Sequence, residues 1–332
     1  MQNRLGIIGA GAWGTALSVV ANRAGSKVML WSRNEQAAET MREKRVNEVY
    51  LPGIFLDPSI EISTNLQEVS KCDMLMLVIP SQSLRTLCIS LSDSLEPTIP
   101  LVLCTKGVER GSLALMSEVV KSTLPANPVA ILSGPNFALE AAQGLPTATT
   151  IACEDAVLGE RLMDAIGGRA FRPYLSDDII GVQIGGAVKN VIAIACGIAQ
   201  GYQLGENARA AIITRGLAEM IRLAVVKGGR AETLTGLSGV GDLTLTCSST
   251  QSRNMSLGIA VAQGKNPREA ITNQIRGLAE GIATADSVYD LSIKLGVSMP
   301  ICEAVHHMLR GKMSVEEGIA ELLSRPLGAE GR

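Results

Sequence analysis

Aromatic side chains are scarce in this 332-residue chain: Phe, Tyr and Trp together make up 3% of it. Its packing therefore falls to small aliphatic residues, which suits close helix and strand contacts. Charge of one sign is lacking as well. Thirty basic residues meet thirty-two acidic ones for a net charge of -2, and no basic block offers a nucleic-acid stripe or a membrane anchor. Any anion site must be local, and neither nucleic acid nor membrane is expected as a partner. The seven cysteines contain no CxxC pair, so neither a zinc site nor a disulfide framework is signalled, and a reducing cytoplasm fits best. The two histidines are neighbours, His306 and His307. Adjacent side chains diverge by about 100° on a helix, so no histidine triad and no shared metal is expected. The opening "MQNRLGIIGAGAWG" enters an apolar run at once, without the ordered regions of a secretory signal.

What is present is length and alternation. The chain exceeds what one core usually supports, which suggests two domains. "RLGIIGAG", "KVMLWS", "IEIST", "DMLMLVIPS", "PLVLCTKG", "PVAILSGP" and "TATTIAC" read as strands, with helix-length segments at 12–24, 35–44, 82–91 and 112–123 between them. Continuous rather than alternating apolar strands imply a parallel sheet covered on both faces. From about residue 178 the spacing turns helical, near 179–200, 207–228, 255–263, 280–296 and 300–310. The expected fold is α/β: a Rossmann-type, mostly parallel sheet domain over 1–177, then an all-helical domain over 178–332. The tail "RPLGAEGR" reads as disordered.

"GIIGAGAWGTAL" sets Gly9, Gly11 and Gly14 in GxGxxG spacing between a strand and a helix. The first glycine permits a tight turn, the second admits a pyrophosphate, and the third lets helix and strand pack closely under the helix N-terminus. After the second strand, Ser32, Arg33 and Asn34 stand where an NAD site normally offers Asp or Glu. Arg33 could pair with a 2'-phosphate, so NADP(H) is favoured with NAD(H) possible; the alternative is an exposed arginine with no cofactor role. Open parallel sheets bind ligands at the carboxyl ends of their strands. That rule directs attention to "IPSQS" at 79–83, "TKG" at 105–107 with the cation of Lys106, and "SGPNFA" at 133–138.

The most informative stretch is "GVQIGGAVKNVIAIACGIAQG", residues 181–201, with Lys189 and Asn190 inside an otherwise apolar run. A mid-bilayer lysine is costly, which favours a buried helix of a soluble protein over a membrane span. Gly185, Gly186 and Ala193 let another element or a ligand approach the lysine's face. Desolvation and a second cation, Lys106, would lower its pKa from about 10.4, as proton transfer near neutral pH requires. The alternative is a lysine that snorkels or pairs with a carboxylate for structural reasons. Downstream, Asp242 follows a Gly-rich loop in "TGLSGVGDLTLTC". Ser252, Arg253 and Asn254 precede a helical segment and could seat a phosphate.

In "GAGAWGTAL", "LPGI", "CTKG", "SGPNFA", "GGAVKNVIAIACGIAQGYQLGEN", "TRGLAEM", "GVGDLTLTC", "QSRN" and "AEGIAT" the chain resembles the bacterial NAD(P)-dependent sn-glycerol-3-phosphate dehydrogenases. The resemblance implies a 6-phosphogluconate-dehydrogenase-like fold and NAD(P)H-dependent reduction of dihydroxyacetone phosphate to sn-glycerol 3-phosphate for phospholipid synthesis, in the cytoplasm and as a homodimer. It names Lys189 for proton transfer, with Lys106 and Asp242 beside it. Implied substrate contacts are Lys106, Gly134, Asn136, Lys189, Asp242, Ser252, Arg253 and Asn254. Implied cofactor contacts, besides the three glycines, are Ala12, Trp13, Arg33, Lys106, Ala138, Arg253, Leu278 and Glu280. Three positions depart from the pattern: Asn136 where many members have a hydroxyl, Gln200 for Asp or Glu, and Tyr202 for an aliphatic residue. Competing readings are another β-hydroxyacid-dehydrogenase-type oxidoreductase, or a nucleotide-binding regulator without catalysis.

Overall fold

The structure is a computed structural model and describes residues 3–266 and 279–324, the side chains of 279 and 280 excepted. The described chain divides into two compact units: the first holds the described residues up to Lys106 together with Ala114–Ile179, the second Gly107–Leu113 and the described residues from Ile180 onward.

The first unit runs β1 (Arg4–Ile8), α1 (Ala12–Arg23), β2 (Lys27–Trp31), α2 (Glu35–Lys44), β3 (Val46–Asn47), β4 (Leu51–Phe55), β5 (Glu61–Ser63), α3 (Leu66–Val69) and β6 (Met74–Leu77). It continues through α4 (Leu84–Leu91), β7 (Leu101–Leu103), α5 (Met116–Thr123), β8 (Val129–Ser133), α6 (Ala138–Gln143), β9 (Thr147–Cys153), α7 (Ala156–Ile166) and β10 (Phe171–Ser176). Eight strands form one sheet in the order β10-β9-β8-β7-β6-β1-β2-β5, while β3 and β4 make a separate antiparallel hairpin. Every residue of β6, β7 and β8 is buried, the pattern of strands with both faces covered.

The sheet is mostly parallel, as the apolar runs imply; the exception is β9, which runs antiparallel to β8. Hydrophobic periodicity reports which faces are buried, not strand direction. Strand β10, unmarked in the sequence reading, lies at one end of the sheet, where Pro173, which has no N–H to donate, is tolerated because no further strand pairs there. The helix expected at 112–123 begins only at Met116, after Leu113 adopts φ +60°.

The second unit contains α8 (Ile179–Gly201), α9 (Gly205–Lys227), α10 (Ala231–Leu234), α11 (Asp242–Cys247), α12 (Arg253–Ala262), α13 (Ala279–Leu295), α14 (Pro300–Leu309) and α15 (Val315–Leu323). Among the described residues no strand follows β10. Helix α8 is long and apolar enough to cross a bilayer, yet 89% of its most apolar window is buried inside the molecule. Missing side chains make that burial possible. A Cβ on Gly258 of α12 would sit 2.1 Å from the Ile194 carbonyl oxygen, so the two helices touch backbone to backbone. The buried Glu219 of α9 caps α14, accepting from the Ile301 amide at 2.7 Å and the Cys302 amide at 3.2 Å. Desolvation raises its pKa, opposed by those two backbone donors. At the end of α8, Gln200 is exposed, and the Tyr202 hydroxyl donates to Glu316 of α15. The unusual tyrosine thus gains a polar partner instead of disturbing the core.

Candidate active site

In the first unit the chain leaves β1 through Gly9 at φ +123°, where a Cβ would lie 2.2 Å from the Val78 carbonyl oxygen. L side chains rarely adopt that conformation. A Cβ on the buried Gly14 would stand 1.8 Å from the Gly9 carbonyl oxygen, so helix α1 closes directly onto the loop. A Cβ on Gly11 would meet nothing within 4 Å. Gly11 is also the N-cap of α1, which has no side-chain cap; the Thr15 amide bonds back to Gly11 O at 2.9 Å. The amides before Thr15 are those a helix leaves without internal acceptors. Backbone closes the loop on two sides and open space lies over its centre, with helix amides at its rim and half-buried Ala12 and Trp13 opening the helix. These residues fit a dinucleotide pyrophosphate.

At the end of β2, Ser32 is buried and its hydroxyl donates to the Asn34 carbonyl at 3.1 Å, while the Asn34 side chain caps α2 through the Ala37 amide at 2.9 Å. Arg33 is left exposed between them, with no carboxylate beside it in the 32–34 turn. The three strand-end segments meet. Thr105 Oγ1 donates to the Leu77 and Ile79 carbonyls at 3.2 and 2.9 Å, and Lys106 Nζ to the Gly134 carbonyl at 3.4 Å. Gly134 lies against β9, where a Cβ would sit 2.9 Å from Thr149 Cα. Asn136 Nδ2 donates to the Ala148 carbonyl at 2.9 Å, and half-buried Ala138 opens α6.

In the second unit Lys189 is buried on α8 and forms an ion pair with Asp242, the first residue of α11. The two side chains are 10% and 1% exposed. Lys189 Nζ also donates to Thr246 Oγ1 at 2.9 Å, and Thr246 Oγ1 donates in turn to the Asp242 carbonyl at 2.6 Å. A π-helical turn, Leu237–Gly241, leads into α11 and presses on α8 where a Cβ on Gly185 would be 2.3 Å from the Ser238 carbonyl. An ammonium therefore sits in a greasy helix because a carboxylate and a hydroxyl one turn apart on α11 receive it. The charge that meets it on α11 is a carboxylate's. Its neighbour Asn190 reaches a different element: Asn254 Nδ2 donates to Asn190 Oδ1 at 2.9 Å.

Helix α12 begins within the predicted phosphate seat, not after it. Ser252 is the N-cap, accepting from the Met255 amide at 3.3 Å, and Arg253 and Asn254 form the first turn. Arg253 is exposed and Asn254 half-buried. Leu278 lies outside the described residues, as does the side chain of Glu280. Thr246 was missed by the sequence reading, although its i+4 spacing from Asp242 puts both on one helical face. Cys247, beside it, is no competing nucleophile: the Cys196 thiol and burial push its own thiol far above the ordinary range.

The chain has counterparts among known proteins. The family model described as the NAD-dependent glycerol-3-phosphate dehydrogenase N-terminus matches residues 4–158, and the C-terminus model matches 178–320. Proteins named glycerol-3-phosphate dehydrogenase [NAD(P)+] from Maricaulis maris and Caulobacter vibrioides are 49% and 50% identical, each over 98% of both chains. A crystal structure of glycerol-3-phosphate dehydrogenase from Coxiella burnetii superposes with a TM-score of 0.94 at 39% identity, covering 98% of this chain and 99% of that one. The chain belongs to the NAD-dependent glycerol-3-phosphate dehydrogenase family of oxidoreductases.

Proposed function

We propose that this chain catalyses the reversible NAD(P)H-dependent reduction of dihydroxyacetone phosphate to sn-glycerol 3-phosphate, the phospholipid backbone. The observation that carries the reading is the buried Lys189–Asp242–Thr246 set on α8 and α11 in a chain that also bears a pyrophosphate cradle.

When bound, the reduced nicotinamide supplies the hydride that the ketone carbon takes up. Gly9, Gly11 and Gly14 with Ala12 and Trp13 hold its pyrophosphate, and Arg33 takes a 2'-phosphate, which favours NADP(H) while leaving NAD(H) usable. Ala138, Lys106 and Arg253 complete the cofactor contacts among the described residues.

The chain's own chemistry is proton supply and positioning. Lys189 gives its proton to the carbonyl oxygen as negative charge grows there, yielding the secondary alcohol. Asp242 and Thr246 fix the amine's direction, so that little orientation is left to be found during the reaction. Lys106, Gly134 and Asn136 contact the substrate from the strand ends. Ser252, Arg253, Asn254 and the first turn of α12 grip its phosphate through a charged fork, an amide and helix N–H groups. The same reading makes the protein a cytoplasmic homodimer. Its seven cysteines are buried free thiols, as a reducing compartment keeps them, and exposed Val225, Val226 and Ile293 on α9 and α13 are apolar surface of the sort a second copy covers.

Initial rates with dihydroxyacetone phosphate and each reduced nicotinamide in turn test the proposal. Turnover with this ketone, faster with NADPH at low coenzyme, is expected. Turnover confined to a non-phosphorylated β-keto acid, or none with either coenzyme, would overturn it.

A further inference from the structure

The hairpin β3–β4 follows α2 and contains the stretch "NEVYLPGI", which the proposed mechanism leaves without a task. Its first residue here, Asn47, is 4% exposed and does not face its own hairpin alone. Asn47 Nδ2 donates to the Ala10 carbonyl at 2.9 Å and to Thr15 Oγ1 at 2.8 Å, while its Oδ1 accepts from the Tyr50 amide at 3.2 Å. Both amide hydrogens are thereby engaged on the glycine loop and helix α1, and the oxygen on the hairpin turn. The Ala10 carbonyl can only accept, so the amide orientation follows from its partner.

From these contacts we infer that Asn47 is a positioning residue for the dinucleotide, acting through the Ala10–Gly11 peptide; the inference rests on the cofactor reading given above. A trans peptide is planar, with its C=O and N–H pointing in opposite directions, and the described chain has no cis peptide bond. Pinning the Ala10 oxygen therefore aims the Gly11 N–H the other way. Gly11 is the residue whose missing side chain leaves open space, and its amide precedes the unbonded amides of α1. The second bond runs to Thr15, a wholly buried residue one turn into the helix. One side chain thus ties the loop peptide to the helix and fixes the angle between two sets of anion-facing donors. Water could satisfy the same carbonyl, but it would not couple the carbonyl to the helix.

The chemistry predicts a specific fault in Asn47→Asp. The shape is retained, yet a carboxylate oxygen would face the Ala10 carbonyl, acceptor against acceptor, beside a site built for a diphosphate. NADPH affinity, read by fluorescence titration, is expected to fall about tenfold or more. The KM for dihydroxyacetone phosphate and kcat at saturating NADPH are expected to stay within about twofold, a split that general loosening of the fold would not produce. Should Asn47→Asp not fold, Thr15→Val removes one acceptor without changing shape and is expected to weaken NADPH binding about threefold. NADPH affinity unchanged in the folded variant, or both KM values raised together, overturns the inference. An unmodified protein that binds no NADPH overturns the cofactor reading instead.

Discussion

Replacing Asp242 with alanine tests whether that carboxylate compensates the charge on Lys189. The two side chains are 1% and 10% exposed, so the amine that remains would be a buried cation without its counter-charge. Removing one member of a buried pair costs about 3–5 kcal/mol. A ceiling comes from the escape open to the amine, which is to shed its proton. At pH 7, against an ordinary lysine value of about 10.4, that costs about 4.6 kcal/mol, or roughly 3.4 pH units at 1.36 kcal/mol each. The two routes agree on about 3–4.6 kcal/mol. For a domain of 150–250 residues each kcal/mol moves Tm by about 2–4 °C, which makes the expected fall roughly 6–18 °C. The sign of the pH dependence follows. In the variant the unfolded chain holds the lysine proton to a higher pH than the folded one does. Its stability relative to the unsubstituted protein therefore recovers as pH rises from 7 toward 10, by up to about 1.36 kcal/mol per unit. Urea unfolding at pH 7 and pH 9 reads both quantities. A deficit below about 1 kcal/mol at pH 7, or one that fails to narrow at pH 9, refutes the pairing as the reason an ammonium is tolerated in α8.

Three further outcomes are expected. Gly258→Ala places a methyl 2.1 Å from the Ile194 oxygen and 2.8 Å from the Ile198 nitrogen, so denaturant midpoints should show a loss of at least about 1–3 kcal/mol; Gly168→Ala, with nothing within 4 Å, should be near neutral. Arg33→Ala should raise the KM for NADPH while leaving that for NADH unchanged, read as the ratio of the two kcat/KM values. His306 stacks on Tyr289 with centroids 4.2 Å apart, and burial lowers its pKa from 6.5 against the opposing pull of Asp286. Because the folded state binds fewer protons there, stability should drop as pH falls below about 6.5. His306→Phe should flatten that slope, and an equal slope in both proteins would remove His306 as its cause.

Much of the candidate site is legible in the sequence because its signals are local. The GxGxxG spacing needs only neighbouring residues to place a turn, an approach and a contact, and Gly9, Gly11 and Gly14 take those places. Lys189 announced itself by contrast with the apolar run around it. What the sequence concealed depends on partners far along the chain. Asn47 is one polar residue among many until its 2.9 Å bond to Ala10 is seen, and Thr246 gains meaning only when α11 lies against α8. Strand direction was hidden as well, since the buried run of β9 reads alike whether parallel or antiparallel to β8. Helices α3, α6, α7, α10, α11 and α15 are not marked in the sequence.

The central claim is that the Lys189 amine supplies the proton. Turnover of Lys189→Ala, measured beside its NADPH dissociation constant on protein verified as folded, tests it most directly. The account predicts kcat lower by about 10²–10⁴-fold, the usual contribution of a positioned acid, with NADPH affinity within about twofold. Turnover near that of the unsubstituted protein would contradict it.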